Sequence, residues 1–242
     1  MVVEAEKLKT VLYFNGLSAD ELEQIKPYIS EKTAEKGEIF LFEGEWSDYL
    51  YFLIQGLVKV YKTSPEGKEQ ILHFANPGES LNDVSTFDGG LNAGSMFAMT
   101  PLLLYTVKKT DLKDIILRNY PITCFNVIKT LANRVRRDST LVEELSFNPV
   151  IGRLAKLLLK YAEGEMHLTQ QDMAAAVGTT REVVNRSLRV LEDKGIIRLV
   201  RHRIEIIDRE VLKEIAKTTS ELAKHIEAES HRQRQPGPGE TG

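Results

Sequence analysis

The spacing of apolar residues changes along the chain, and each change marks a new kind of element. Residues 1 to 30 read as helical: Ser18-Ala19-Asp20-Glu21 forms a capping box ahead of Leu22 and Ile25, and Pro27 limits the helix soon afterwards. From about Thr33 to Lys109 the helical period gives way to short apolar runs, Ile39 to Phe42, Tyr49 to Ile54, Leu57 to Tyr61 and Gln70 to Phe74. Turn signals at Gly37, Gly44, Gly56 and Ser64-Pro65-Glu66-Gly67 separate them. Many short strands at near-even spacing predict a sandwich or barrel of the jelly-roll kind.

The helical period returns at Asn119-Tyr120-Pro121, with proline near the first turn, and Ile122, Phe125, Ile128, Leu131, Ala132, Val135, Val142 and Leu145 recur at threes and fours. Such a long amphipathic helix needs a partner, either its own β domain or a second copy. Its length, and its position between two compositionally different halves, point to a two-chain seam through Ile122, Phe125, Ile128, Leu131, Ala132, Val135 and Val142. Asn133 to Asp138 is too charged to be buried throughout. Phe147-Asn148-Pro149 interrupts the helix, because a residue before proline disfavours the α region, and marks a domain boundary and candidate hinge. A further helix, Val150 to Ala162, carries Ile151, Leu154, Leu157 and Leu158 on one face. Gln233 to Gly242, with Pro-Gly-Pro-Gly and no apolar residues, is expected to be disordered. The expected organisation is α+β: a β-rich domain over 1–118, the long helix and hinge over 119–147, a second domain over 148–230 and a tail over 231–242.

Composition narrows the function classes. A chain of 242 residues, 42% hydrophobic, has room for two cores. No signal peptide is visible and no apolar run approaches the roughly 18 to 20 residues that span a bilayer, so a cytoplasmic protein without membrane contact is expected. Cys124 is the single cysteine, which excludes an internal disulfide and cannot supply an iron-sulfur cluster or structural zinc site. The net charge of −3 exerts no global pull on nucleic acid, so a DNA-binding reading must rest on a local motif.

That motif lies in the C-terminal half. Thr169-Gln170-Gln171-Asp172 opens a helix whose apolar face is Met173, Ala174 and Val177, and Gly178 can take the left-handed turn that ends it. Thr179-Thr180 offers a second N-cap for a helix from Arg181 to Lys194, stopped by Gly195. Helix, tight turn and helix is the arrangement that lays a second helix in the major groove. Val184, Leu188 and Leu191 form its inward stripe, while Arg181, Glu182, Asn185 and Arg186 sit near its exposed start. Arginine can pair bidentately with guanine and glutamate can accept from the cytosine amino group. Thr180, with the backbone N–H groups at the helix start, suits a phosphate, and Thr169 belongs to the same surface. Ile196 to Val200 and Ile204 to Ile207 read as strands around Arg201-His202-Arg203, a basic wing for phosphates. Asp208 caps a last helix, Arg209 to about Ala228.

Over residues 10 to 212 the sequence resembles the cyclic-AMP receptor protein and FNR (Crp/Fnr) family of regulators. Thr169-x-x-Asp172, Val177-Gly178, Thr180-Arg181-Glu182-x-Val184-x-Arg186 and Leu191 to Ile197 look like its DNA-binding signature. Gly44, Tyr51 to Gly56, Val58 to Tyr61 and Pro77-Gly78-Glu79 look like its cyclic-nucleotide-binding β-roll. The resemblance implies a homodimer reading a palindromic double-stranded site, TGTGA-like from the Arg-Glu-x-x-x-Arg spacing, with RNA polymerase as a partner. In members that bind cyclic AMP, a carboxylate after Pro-Gly-Glu takes the ribose and an arginine ten residues later takes the phosphate. Here those positions are Asp83 and Ala93. A buried phosphate would lack its cation at a cost of roughly several kcal/mol, so cyclic AMP is not the expected effector, although Gly94 and Ser95 offer a few donors. An FNR-type cluster fails on cysteine count.

Two alternatives stay open for the β-roll. His73, between Leu72 and Phe74, reads either as a half-buried strand histidine or as the axial ligand of a haem that senses carbon monoxide or nitric oxide. Asp88 to Phe97, rich in glycine, could cradle a neutral ligand or simply close a turn. A regulator without any effector is a further reading. A cupin-like enzyme would need histidines and carboxylates converging on a metal, and His73 alone does not supply them, so no catalytic or metal site is expected.

Overall fold

The computed structural model describes residues 3–162, 168–200 and 203–217. The chain divides into two compact units, Met1–Asp138 and Ser139–Gly242. The first begins with short helical pieces, α1 (Ala5–Leu8), a 3-10 turn (Leu12–Phe14) and α2 (Ala19–Ile25). Ser18 caps α2 as expected, its Oγ accepting from the Glu21 N–H while the Glu21 carboxylate accepts from the Ser18 N–H at 2.7 Å. The stretch is not one helix. Gly16 at φ +89° turns the backbone between the pieces, and the chain is already extended at Ile29.

The strands are β1 (Ile29–Ala34), β2 (Ile39–Leu41), β3 (Tyr49–Gln55), β4 (Val58–Thr63), β5 (Glu69–Ala75) and β6 (Ser80–Leu81), followed after α3 (Asp83–Asp88) by β7 (Ser95–Ala98) and β8 (Leu102–Lys108). They form two antiparallel four-stranded sheets, ordered β1-β8-β3-β6 and β2-β7-β4-β5. The central strands are continuous apolar runs because their sheet is covered on both faces. Tyr51, Leu53 and Leu104 point into the core shared with the second sheet, where Val58, Val60, Ala75 and Met96 meet them. Leu50, Phe52, Tyr105 and Val107 point the other way, onto Leu8, Val11, Tyr13, Phe14, Leu22 and Ile25. Asp88 to Phe97 is therefore only partly loop, since Ser95, Met96 and Phe97 belong to β7.

After β8, α4 (Lys109–Asp111) runs into a π-helical turn (Leu112–Leu117), and then comes α5 (Pro121–Phe147). Thr123 and Val127 of α5 are buried in the first unit, and Leu131 packs on the same core. The second unit contains α6 (Val150–Tyr161), α7 (Gln170–Val177), α8 (Arg181–Asp193), the hairpin β9 (Ile197–Val200) and β10 (Arg203–Ile206), and α9 (Arg209–Lys217). Its core joins Ile151, Leu154 and Leu158 to Met173, Val184, Leu188, Leu191, Leu212 and Ile215, so α9 packs within this unit. The break at Phe147–Pro149 is present, but it lies inside the second unit. There Arg153 of α6 donates to the carbonyls of Glu144, Asn148 and Val177, and Lys156 pairs with Glu144 at 2.8 Å. The division between units falls earlier, at 138/139 within α5, so the helix is shared by both. The expected helix beyond Lys217 and the tail 231–242 lie outside the described residues.

The β3–β4 turn depends on Gly56, at φ +99°, where an added Cβ would stand 2.5 Å from the Pro101 carbonyl oxygen and 2.8 Å from Thr100 Oγ1. Gly56→Ala is expected to destabilise the first unit by about 1 to 3 kcal/mol or more, read as a lowered urea midpoint. An unchanged midpoint would contradict this packing.

Candidate DNA-reading helix and effector cavity

The helix-turn-helix is built by local caps. Thr169 caps α7 through a reciprocal box: its hydroxyl accepts from the Asp172 N–H at 3.1 Å, and the Asp172 carboxylate accepts from the Thr169 N–H at 3.2 Å. The Thr169 hydroxyl also donates to Asp172, so its single donor is used within the cap. Gly178 ends α7 in the left-handed region at φ +69°. Thr180 occupies the N-cap of α8 with an extended backbone but makes no side-chain cap bond; its hydroxyl contacts the Glu182 carboxylate instead.

Val184, Leu188 and Leu191 of α8 are buried, as the inward stripe predicts. Arg181, Glu182, Arg186 and Arg189 are exposed on the other side and Asn185 is half-buried. Arg181 Nε reaches Gln170 Oε1 at 3.4 Å, a long contact that leaves the guanidinium edge available. The backbone N–H at the start of α8 and the Thr180 hydroxyl hold the Glu182 carboxyl below its usual range. It is an ionised acceptor at neutral pH. In the wing Arg203 is exposed but pairs with Glu205, which also faces Arg198 at 3.9 Å. Arg201 and His202 lie outside the described residues.

The seam residues divide by phase around α5. Phe125, Ile128, Val135 and Val142 are 64 to 66% exposed, with Ile122 and Ala132 also open. Leu131 lies on the neighbouring face and packs on the first unit's core. The spacing 125, 128, 132, 135, 139, 142 alternates threes and fours, the period behind the expectation of a two-chain seam. Within the charged stretch beside it only Arg134 and Arg137 are partly buried, and they line a cavity of the β-roll, while Asn133, Arg136 and Asp138 are exposed.

That cavity has a volume of about 220 Å³, and its walls include His73, Asp83, Ala93 and Gly94 from the expected effector residues. Ser95 is not in the wall, because its hydroxyl accepts from the Glu43 N–H at 3.0 Å. A bulge between Val60 and Tyr61 leaves Leu72 without an opposite residue in the β4–β5 ladder, and Val60, Leu72 and His73 all line the cavity. Asp83 is fully buried. The Tyr13 hydroxyl donates to its Oδ1 and Arg134 Nη1 stands 2.7 Å from its Oδ2, while Arg134 Nη2 donates to the Ser80 carbonyl at 2.9 Å. Burial and the Asp83 charge push the Tyr13 hydroxyl well above its ordinary pKa, so it remains a donor. Tyr13, Arg134 and Arg137 were not among the sequence candidates. The one signal for the arginines was their i, i+3 spacing beside an apolar stripe.

Residues 31–119 match the cyclic nucleotide-binding domain, and residues 152–215 match the Crp-like helix-turn-helix domain. A Mycobacterium tuberculosis protein named as a CRP-like cAMP-activated global transcriptional regulator is 30% identical over 210 residues, covering 82% of this chain and 93% of its own. The chain belongs to the Crp/Fnr family. A Thermus thermophilus protein named cyclic AMP receptor protein is 28% identical over 207 residues, covering 84% of this chain and 95% of its own. The structure of a CRP/FNR-family transcriptional regulator from the same organism superposes with a TM-score of 0.69 at 22% identity, covering 79% of this chain and 100% of the other, which bears on the fold. This Crp/Fnr protein is thus a DNA-binding transcriptional regulator of α+β fold with a cyclic-nucleotide-binding-type β-roll.

In this regulator Asp83 and Arg134 depend on each other. Asp83→Ala, which leaves the Arg134 charge buried and unpaired, is expected to destabilise the first unit by roughly 3 to 5 kcal/mol, and Tyr13→Phe by about 1 to 3 kcal/mol. The double variant Asp83→Leu, Arg134→Met is expected to recover much of the first loss in a urea titration. Equal stability of Asp83→Ala and the wild type would remove the pair from the account.

Proposed function

We propose that this regulator acts as a homodimer joined through Ile122, Phe125, Ile128, Ala132, Val135 and Val142, and that it reads a two-fold symmetric, TGTGA-like operator. The observation that carries the reading is α8: its inward stripe is buried, and Arg181, Glu182 and Arg186 stand together on the open face at its N-terminal end. Arg181 and Arg186 supply guanine contacts, Glu182 the cytosine contact, and Asn185 a further base-edge contact. Thr180 and the wing residues Arg201, His202 and Arg203 supply phosphate contacts, with Thr169 acting through the N-terminus of α7 that it caps. RNA polymerase is the expected protein partner, and no catalytic role is proposed.

The β-roll cavity is the proposed effector site, with an effector other than cyclic AMP. Several relatives carry cyclic AMP in their names, and the present chain departs at the two positions that would grip it. Ala93 brings no charge, and Asp83 is engaged by Tyr13 and Arg134. Haem is not favoured: the His73 imidazole is nearly buried with Glu79 3.9 Å away, and the cavity is smaller than the roughly 300 to 1,000 Å³ of ordinary ligand pockets, let alone one for a macrocycle.

Selection of binding sites from random duplexes with the purified protein tests the reading. The expected product is a palindrome with TGTGA-like halves; an unrelated or asymmetric sequence would sink it. Arg181→Ala and Arg186→Ala should each lose about 1 to 3 kcal/mol of operator affinity and relax one base pair per half-site. A loss uniform over all sequences would reassign that arginine to phosphate.

A further inference from the structure

The cavity that lacks a cation on its loop has one on its helix. Arg137 is one-third exposed, and its Nε is shielded from solvent without donating a hydrogen bond. Its ion pairs, with Glu79 at 3.5 Å and through Nε with Asp138 at 3.7 Å, are looser than the 2.7 Å between Arg134 and Asp83. Glu79 also accepts from the Asn76 N–H at 2.9 Å and faces His73, and Asp138 is more than half exposed. Burial, then the charge of Arg134, push the Arg137 pKa below its ordinary value, as expected of a cation that its surroundings do not fully match. A buried N–H without an acceptor, on the wall of a cavity, calls for an acceptor from outside the chain.

The rest of the wall limits what brings that acceptor. Val60, Leu72, Val84, Ala93 and Met96 make much of it apolar. Lys62 is half-exposed and already paired with Glu43. Asp83 accepts from Tyr13 on one oxygen and lies against Arg134 with the other, so a ligand with a ribose diol would have to compete with Tyr13 and Arg134. On the reading of this cavity as the effector site, we infer that it takes a small organic acid: one carboxylate or phosphate is held by Arg137 and an apolar body lies against Val60, Leu72 and Met96. The planar guanidinium fork matches either oxyanion, and the ion pair gains strength from the low dielectric around it.

The full-length protein is titrated by calorimetry and thermal melting with hexanoate, phenyl phosphate, hexanol and cyclic AMP. Saturable binding of hexanoate or of phenyl phosphate, with a raised Tm, is expected; whichever binds tells carboxylate from phosphate. Hexanol, the same body without charge, should bind at least tenfold more weakly than hexanoate, or not at all. Arg137→Gln should weaken binding of the acid at least tenfold while its Tm without ligand stays near wild type. Arg137→Lys, which keeps the charge and loses the fork, should weaken it severalfold and serves if the glutamine variant does not fold. Failure of both acids to bind, equal binding of hexanol and hexanoate, wild-type affinity in Arg137→Lys and Arg137→Gln, or tighter binding of cyclic AMP than of either acid would overturn the inference. Operator binding is measured on the same preparations. An operator bound normally by a protein that ignores both acids rejects the ligand class alone, whereas absent operator binding rejects the DNA-reading function.

Discussion

Asp83 is where three separate stretches of the first unit meet. The Tyr13 hydroxyl from the N-terminal segment and the Arg134 guanidinium from α5 converge on one carboxylate at the start of α3, with no exposure to solvent. A carboxylate in that position is tolerable because the Tyr13 hydroxyl donates to one oxygen and the Arg134 charge stands against the other, so removing Arg134 would leave a buried, unpaired charge. Arg134 lies on the same face of α5 as Thr123, Val127 and Leu131. The ion pair and these apolar contacts together fix the rotation of the helix against the β-roll, and that rotation turns Phe125, Ile128, Ala132 and Val135 outward. The proposed dimer seam follows from this rotation.

What was legible in the sequence was what local rules govern. The capping boxes at Ser18 and Thr169, the left-handed Gly178 and the buried stripe of α8 are read from residues within a few positions of one another, and each stands as expected. The strands Tyr49–Gln55 and Val58–Thr63 were also visible, because a turn glycine marks their junction. β8 was harder to place, and the first two residues of β1, Ile29 and Ser30, were read as helical, because these strands depend on pairing with each other over about half the length of the first unit, Ile29 opposite Val107 and Ala34 opposite Leu102. Nothing within either segment encodes that pairing.

The effector side was the less legible half. Asp83 and Ala93 could be located by resemblance, but their state could not. That Asp83 is engaged by Tyr13, 70 positions away in the chain, is a matter of tertiary packing. Likewise a charged stretch beside an apolar stripe reads as a solvated helix face until the β-roll is laid against it, and only then do Arg134 and Arg137 become walls of a cavity. Ser95 illustrates the opposite error: a hydroxyl in a glycine-rich stretch invites a ligand, yet its strand sets it beside the Glu43 N–H. The break at Phe147–Pro149 looked like a joint between domains, whereas Arg153 binds it into the second unit through three carbonyls.

A buried carboxylate thus sets a helix rotation, that rotation turns an apolar stripe outward, and the dimer proposed on that stripe presents two recognition helices to one operator. The pairing of two half-sites is the most exposed consequence of that proposal. Operator duplexes with two half-sites one helical turn apart, about 10 to 10.5 base pairs, can be compared with duplexes in which roughly 5 base pairs are inserted between the halves. The account predicts that the insertion, which puts the halves on opposite faces of the duplex, reduces affinity to that of a single half-site, while two chains bind the uninterrupted operator. Equal affinity for both duplexes, with each half-site taken by one chain independently, would contradict it.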